Sequence, residues 1–289
     1  MNSSTVMELL IWEKSMNNLS LIVFKRSLVR VGLRLGLGLA LGCALSTVYA
    51  GLPDFADTFS VRGELRMGLY SGSPTSVITN PANSEKVGVG YELGREFAKV
   101  LQLKYVPIIY PKNADVFYAA KEASIDLVFT NASPERAQVL QFSKPVVRIE
   151  RGYLVSSLGP IQSVSQLDQP GMRVGVSVGS SSELELTHLL KNAVVVRTNS
   201  TASAIEMLRN GQLDAFSTNK GILFEMSDQW EHSKVLDEVL GYESIALGLP
   251  KSRVVDMDFV NNFVDELKRS GELSKIIKRA GLRGVAQDK

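Results

Sequence analysis

The sequence predicts an α/β protein with parallel sheets, and three observations carry that reading. From about residue 64 onward, short apolar runs alternate with amphipathic segments, which is the rhythm of strands and helices in parallel sheets. The alternation restarts near residue 164, so two similar α/β units lie in tandem. The 239 residues that follow the first 50 of 289 are enough for one large domain or for two lobes, each with its own core.

Taken in order, residues 65–69 read as a first strand. Residues 91–101 carry Leu93, Phe97, Val100 and Leu101 at helical spacing, so they form a helix that buries one face. A strand is expected at 105–109, a helix at 116–122, a strand at 125–130 that runs into a loop rich in capping residues, and an extended segment at 152–156. The second unit opens with a helical turn at 164–167 and a strand at 173–177. A helix over 182–190, a strand at 193–197 and a helix over 202–208 follow, the last closed by Asn210 and Gly211 as a C-cap. Residues 215–218 form a buried strand and 242–249 another. The stretch 257–279 is helical, with a break at Ser270 and Gly271.

The N-terminus has the composition of an export signal. Lys25, Arg26, Arg30 and Arg34 precede an apolar run over 35–45, and Val48, Tyr49 and Ala50 form a small-x-small cleavage site, so the mature chain is expected to begin at Gly51. A 50-residue leader exceeds the roughly 15 to 30 residues usual for such signals, and initiation at Met16 would bring it closer. The apolar run is shorter than the roughly 20 residues needed to span a bilayer. Cys43 is the only cysteine and lies in this leader, so no disulfide is expected in the mature chain. Gly42 before Cys43 also leaves open a lipoprotein signal, although Ala40 stands where such signals usually carry Leu.

The first 50 residues hold five of the 32 basic and two of the 30 acidic residues, so 27 and 28 remain and the mature chain is near neutral. No basic patch points to nucleic acid. Gly88, Gly90 and Gly94 resemble a dinucleotide loop only weakly, because the third glycine falls one place late. His188 and His232 have no partners at metal-ligand spacing, so neither a metal nor another cofactor is expected. Trp230 reads as a packing residue.

A set of landmarks in fixed order then narrows the reading. Gly88 through Leu93 open the first helix, and Ile125, Asp126 and Leu127 precede the loop at Thr130. Ser133, Pro134, Glu135 and Arg136 follow, then Phe142, Ser143, Lys144 and Pro145. The second half has Gly175, Val176, Gly179 to Ser182, and Asn210 to Ala215. With these landmarks the chain resembles the family 3 extracellular solute-binding proteins, typified by the polar amino-acid binding proteins of ABC importers.

The resemblance implies a two-lobed periplasmic binding protein fold of type II, each lobe a mainly parallel sheet flanked by helices. Residues 51–152 plus 245–289 would form the first lobe and 153–244 the second, joined by two crossing strands and closing on a ligand by hinge motion. The implied role is capture of an amino acid or related small carboxylate, a dicarboxylate included, for delivery to an ABC permease in the inner membrane. The protein would be periplasmic and monomeric, without nucleic acid.

The same resemblance implies site residues. Arg136 would clamp the ligand carboxylate, since a planar guanidinium fork matches both of its oxygens. Asn131 would add a polar contact from the same loop. Ser180 and Ser181, at a helix start after Gly179, would offer hydroxyls and backbone N–H groups to the same anion. Asn219 stands where the amino-acid binders typically carry an aspartate for the ligand ammonium, and Tyr70 and Gly90 stand where other aspartates are usual. These three positions together imply less negative charge in the cleft than usual. Lys220 would either favour a second anionic group or face solvent. The fold also hosts cyclohexadienyl dehydratases, which need an acid to protonate a leaving hydroxyl. Asn219 cannot serve as that acid, so no catalytic residue is expected. A ligand-sensing partner of a membrane receptor is a third reading.

Overall fold

The computed structural model describes residues 55–59, 63–80 and 83–286. The leader, with Met16, Cys43 and the Ala50 site, lies outside them. Among the described residues no helix is long and apolar enough to cross a membrane.

The first half runs β1 (Glu64–Tyr70), a short hairpin of β2 (Ile78–Thr79) and β3 (Lys86–Val87), α1 (Val89–Val100), β4 (Lys104–Tyr110), α2 (Asn113–Lys121) and β5 (Leu127–Asn131). A 3-10 turn over Arg136–Gln138 then leads into β6 (Leu140–Phe142) and the ten-residue β7 (Val147–Ser156). The second half contains β8 (Arg173–Ser177), α3 (Ser181–Leu189), β9 (Val194–Thr198), α4 (Thr201–Arg209), β10 (Ala215–Asn219), α5 (Lys220–Asp228) and β11 (Ser233–Val235). The ten-residue β12 (Gly241–Pro250) and helices α6 (Met257–Arg269) and α7 (Glu272–Arg279) complete the chain.

The two halves repeat one winding. In the first, β1 lies between β4 and β5 and is parallel to both; in the second, β8 lies between β9 and β10 in the same way. An arginine at the start of each central strand grips an aspartate just ahead of the third strand. Arg66 binds Asp126 through its backbone N–H and two guanidinium nitrogens at 2.7–2.9 Å, and Arg173 binds Asp214 likewise at 2.8–3.0 Å.

The two halves meet along β7 and β12, which run antiparallel from Val147–Arg151 against Gly241–Ile245. Beyond that contact each strand serves a different half of one continuous ten-stranded sheet: β12 pairs β5 and β6, while β7 pairs β10 and β11. Buried apolar side chains sort the same way. One core draws on β1, α1, β5, β12 and the tail helices, and includes Leu65, Phe97, Leu247 and Phe263. Two others draw on residues 153–236, among them Tyr153, Val176, Phe216 and Leu223.

The tail joins the first core despite its distance in sequence. Helix α6, capped by Asp256, carries Phe259, Val260, Phe263, Val264 and Leu267 on one face, and Phe263 meets Phe97 edge-on with ring centroids 4.9 Å apart. Arg279 of α7 then donates to the buried Glu92 of α1 at 2.6 and 2.9 Å.

Several elements differ from the sequence expectation. Helix α2 begins at Asn113 rather than residue 116, and β7 begins at Val147, five residues ahead of the expected extended segment. The β2–β3 hairpin and helix α5 were not expected. Lys220 and Gly221 at the start of α5 mask its apolar stripe of Ile222, Leu223 and Met226. Two-residue strands are too short to leave a period-2 pattern.

Candidate functional site

The parallel strands of both halves point their carboxyl ends at one cavity of about 140 Å³. β1 ends there at Tyr70, β5 at Asn131, β8 at Ser177 and β10 at Asn219. The crevice outside the carboxyl ends of strands is the usual place for a ligand in open α/β sheets.

Helix α1 fixes one wall. Its first-turn N–H groups, which have no partner within the helix, donate to the carbonyls of Pro74, Thr75 and Ser76 at 2.8–3.1 Å, holding loop 71–76 over the cavity. The chain enters α1 through Gly88 at φ 153, where a Cβ would lie 2.3 Å from the Ser76 carbonyl oxygen. Any larger residue would push this loop away.

Arg136 stands at the first position of the 3-10 turn and is only 8 % exposed. Its Nη1 donates to Thr130 Oγ1 at 2.7 Å and, at 3.5 Å, to the Asn131 carbonyl. Among the described residues no carboxylate lies within 4.0 Å of its guanidinium. Burial pushes this guanidinium below its ordinary value, against the opposing pull of the Glu243 charge. A buried cation without an ion-pair partner is expensive, and this one faces open space.

All six residues expected at the site line this cavity: Tyr70, Asn131, Arg136, Ser180, Ser181 and Asn219. Their roles differ in detail. Ser180 is the N-cap of α3 and accepts from the Glu183 N–H at 3.1 Å, while the Gly179 N–H is taken by Glu183 Oε2 at 2.6 Å. Ser181 donates to Glu243 Oε1 at 2.6 Å. Tyr70 is half-buried with its hydroxyl against Thr75 Oγ1 at 3.0 Å. Burial pushes its phenol up, so it presents a neutral hydroxyl.

Four expectations are corrected here. Asn219 does not keep its carbonyl for a ligand: Oδ1 caps α5 by accepting the Ile222 N–H at 3.2 Å, and Nδ2 donates to Glu243 Oε2 at 3.1 Å. Helix α5, which was not expected from the sequence, makes Asn219 its N-cap. Lys220 faces neither the cleft nor solvent. It is buried, with Nζ 3.0 Å from Glu150 and 2.9 Å from the Asp237 carbonyl, and does not line the cavity. Gly90 is in the first turn of α1, packed against Leu69 and Phe129, and does not line the cavity. Finally, the cavity does hold a negative charge, on Glu243.

Glu243 was not anticipated. It sits on β12 and is 7 % exposed, on the same side of the strand as the buried Ile245, Leu247 and Leu249. A glutamate in phase with three buried aliphatics was the signal available in the sequence, since side chains alternate faces along a strand. Trp230 is in a hydrophobic core, and His188 and His232 are exposed. Among the described residues no cluster of His, Cys, Asp or Glu could hold a metal.

Two halves of repeated winding in one curled sheet, joined by the paired strands β7 and β12 beside the cavity, match the fold of the type II periplasmic binding proteins. Residues 65–282 match the bacterial extracellular solute-binding proteins, family 3, and the chain belongs to that family. Among its relatives is the ABC transporter glutamine-binding protein GlnH of Bacillus subtilis (strain 168), 21 % identical over 215 residues that cover 70 % of this chain and 75 % of GlnH. Similar solved structures include a mutant of the T. maritima protein ArgBP, with TM-score 0.70, 21 % identity, and coverage of 79 % of this chain and 99 % of that one. Another is an ancestral amino-acid-binding protein described as a precursor of cyclohexadienyl dehydratase, with TM-score 0.66, 23 % identity, and coverage of 78 % and 99 %.

Proposed function

We infer that this chain is the substrate-binding component of an ABC importer and that its cavity takes a small molecule bearing a carboxylate, an amino acid foremost. The observation that carries the reading is Arg136, a buried guanidinium that lines the cavity and has no carboxylate of the described residues beside it. A ligand carboxylate would supply the missing counterion in bidentate form. Asn131, Ser180 and Ser181 would add polar contacts, Tyr70 would close the wall, and Asn219 would act by positioning Glu243. Family membership and the glutamine-binding relative favour an amino acid over other acids.

Residues 51–152 with 245–289 and residues 153–244 would be the two lobes, with β7 and β12 as the hinge. In support, core membership changes between Ile149 and Tyr153 and again between Leu236 and Ile245. Delivery to a membrane permease requires export. Mass spectrometry of the secreted protein is expected to find Gly51 as the first residue, and acylated Cys43 would replace that reading with a lipid anchor.

A second reading, catalysis, gains one observation from Glu243, an acid in the cavity that the sequence reading lacked. Both of its oxygens accept hydrogen bonds from neutral donors, an arrangement suited to receiving a cation more than to delivering a proton. No turnover of prephenate or arogenate is expected, and turnover would establish the enzyme.

The importer reading is tested by calorimetric titration of residues 51–289 with the twenty L-amino acids and small dicarboxylates. At least one acid is expected to bind, with affinity falling about ten- to a hundredfold in Arg136→Ala as a charged hydrogen bond is lost. Binding unaffected by Arg136→Ala would remove the carboxylate clamp from the reading.

A further inference from the structure

Two opposite charges are buried in this one cavity without meeting each other. Arg136 comes from the loop after β5 and Glu243 from β12, each is more than nine-tenths buried, and among the described residues neither has an oppositely charged group within 4.0 Å. Glu243 is instead held by neutral donors from the second half of the chain, Ser181 Oγ at 2.6 Å and Asn219 Nδ2 at 3.1 Å. Asn219 is itself immobilised as the cap of α5. These bonds fix the direction of the carboxylate and leave it without a cation in contact, although it feels the Arg136 charge across the cavity. A carboxylate offers about four lone-pair sites, and two of them remain for another donor.

We propose that Glu243 receives the ammonium group of the ligand, so that Arg136 and Glu243 together select molecules carrying both an anionic and a cationic group. This rests on the importer reading above and sharpens its substrate class. A bound zwitterion would neutralise both buried charges at once, whereas a dicarboxylate would set a second anion against Glu243, an unfavourable pairing in a site of low dielectric. Amino acids are therefore accepted and dicarboxylates rejected. Glu243 is a ligand-contacting specificity residue, and Asn219 and Ser181 are its positioning residues.

The test compares wild-type protein with Glu243→Gln, an isosteric change, and with Glu243→Asp, which keeps the charge. Calorimetry would use the twenty L-amino acids, glutarate, and the desamino counterpart of the best binder, glutaramate for L-glutamine or guanidinovalerate for L-arginine. Wild type is expected to prefer the amino acid over its desamino counterpart and over glutarate by about tenfold or more. Glu243→Gln should erase that preference by weakening only the amino acid, and Glu243→Asp should keep most of it. A preference that survives in Glu243→Gln would overturn the assignment and leave the importer reading intact. Wild type that binds desamino and amino forms alike would overturn it without any variant, which decides the matter if Glu243→Gln does not fold. Wild type that binds no amino acid would overturn both readings.

Discussion

Lys220 and Arg136 are both buried cations close to the crossing strands, and they do opposite things. Lys220 is neutralised from within the protein, by Glu150 at 3.0 Å and the Asp237 carbonyl at 2.9 Å, and it packs against Gly152 and Gly284. Arg136 meets a hydroxyl and a carbonyl but no carboxylate among the described residues. The difference teaches that burial alone does not identify a ligand-binding charge. What identifies it is an absent counterion together with an open cavity in front.

The comparison can be broken by removing each charge in turn. Arg136→Met is expected to weaken binding of the best amino acid by about 1.5 to 3 kcal/mol, while urea unfolding of the unliganded protein shifts by less than about 1 kcal/mol, because a costly buried charge leaves with the lost hydrogen bond. A large loss of unliganded stability would make Arg136 structural. Lys220→Met should invert the pattern. Stability would fall by about 1 to 2 kcal/mol, because Glu150 loses its partner but remains partly open to water, and ligand affinity would stay within about threefold. A larger change in affinity would bring Lys220 back into the site.

A partly exposed anion gives the smallest effect and extends the contrast to charges satisfied by backbone. Asp168 accepts the N–H groups of Ala193, Asn192 and Lys191 at 2.7–3.1 Å, and these bonds, Ala193 first, hold its carboxyl below the ordinary range. A lowered folded-state value means a contribution fully present above the usual carboxylate value and lost as pH falls through the folded one. Asp168→Asn is therefore expected to lower the melting temperature slightly at pH 7, with the gap to wild type closing progressively below about pH 4. A gap independent of pH would show that shape, not charge, holds this turn.

Sequence and structure agree most closely where a pattern is local. The helix over 91–101 and the strands at 65–69, 173–177 and 215–218 were readable because their apolar spacing is set by the faces they bury. The positions of Arg136, Ser181 and Asn219, which the family resemblance singled out, do line the cavity. Helix α5 was not legible, and without it the capping role of Asn219 was invisible. Glu243 escaped notice because it lies 107 positions after Arg136 in the chain, and no local spacing relates the two.

By itself, the sequence determined the α/β rhythm and the tandem repeat, because each depends on residue type and short-range periodicity. The tertiary structure alone decided which charges are paired. Lys220 is directed to Glu150, Asn219 to Glu243 and the tail helices onto the first core by the crossing of β7 and β12. Counterion partnership is a property of distance in space, and the fold brings together groups that the chain keeps far apart.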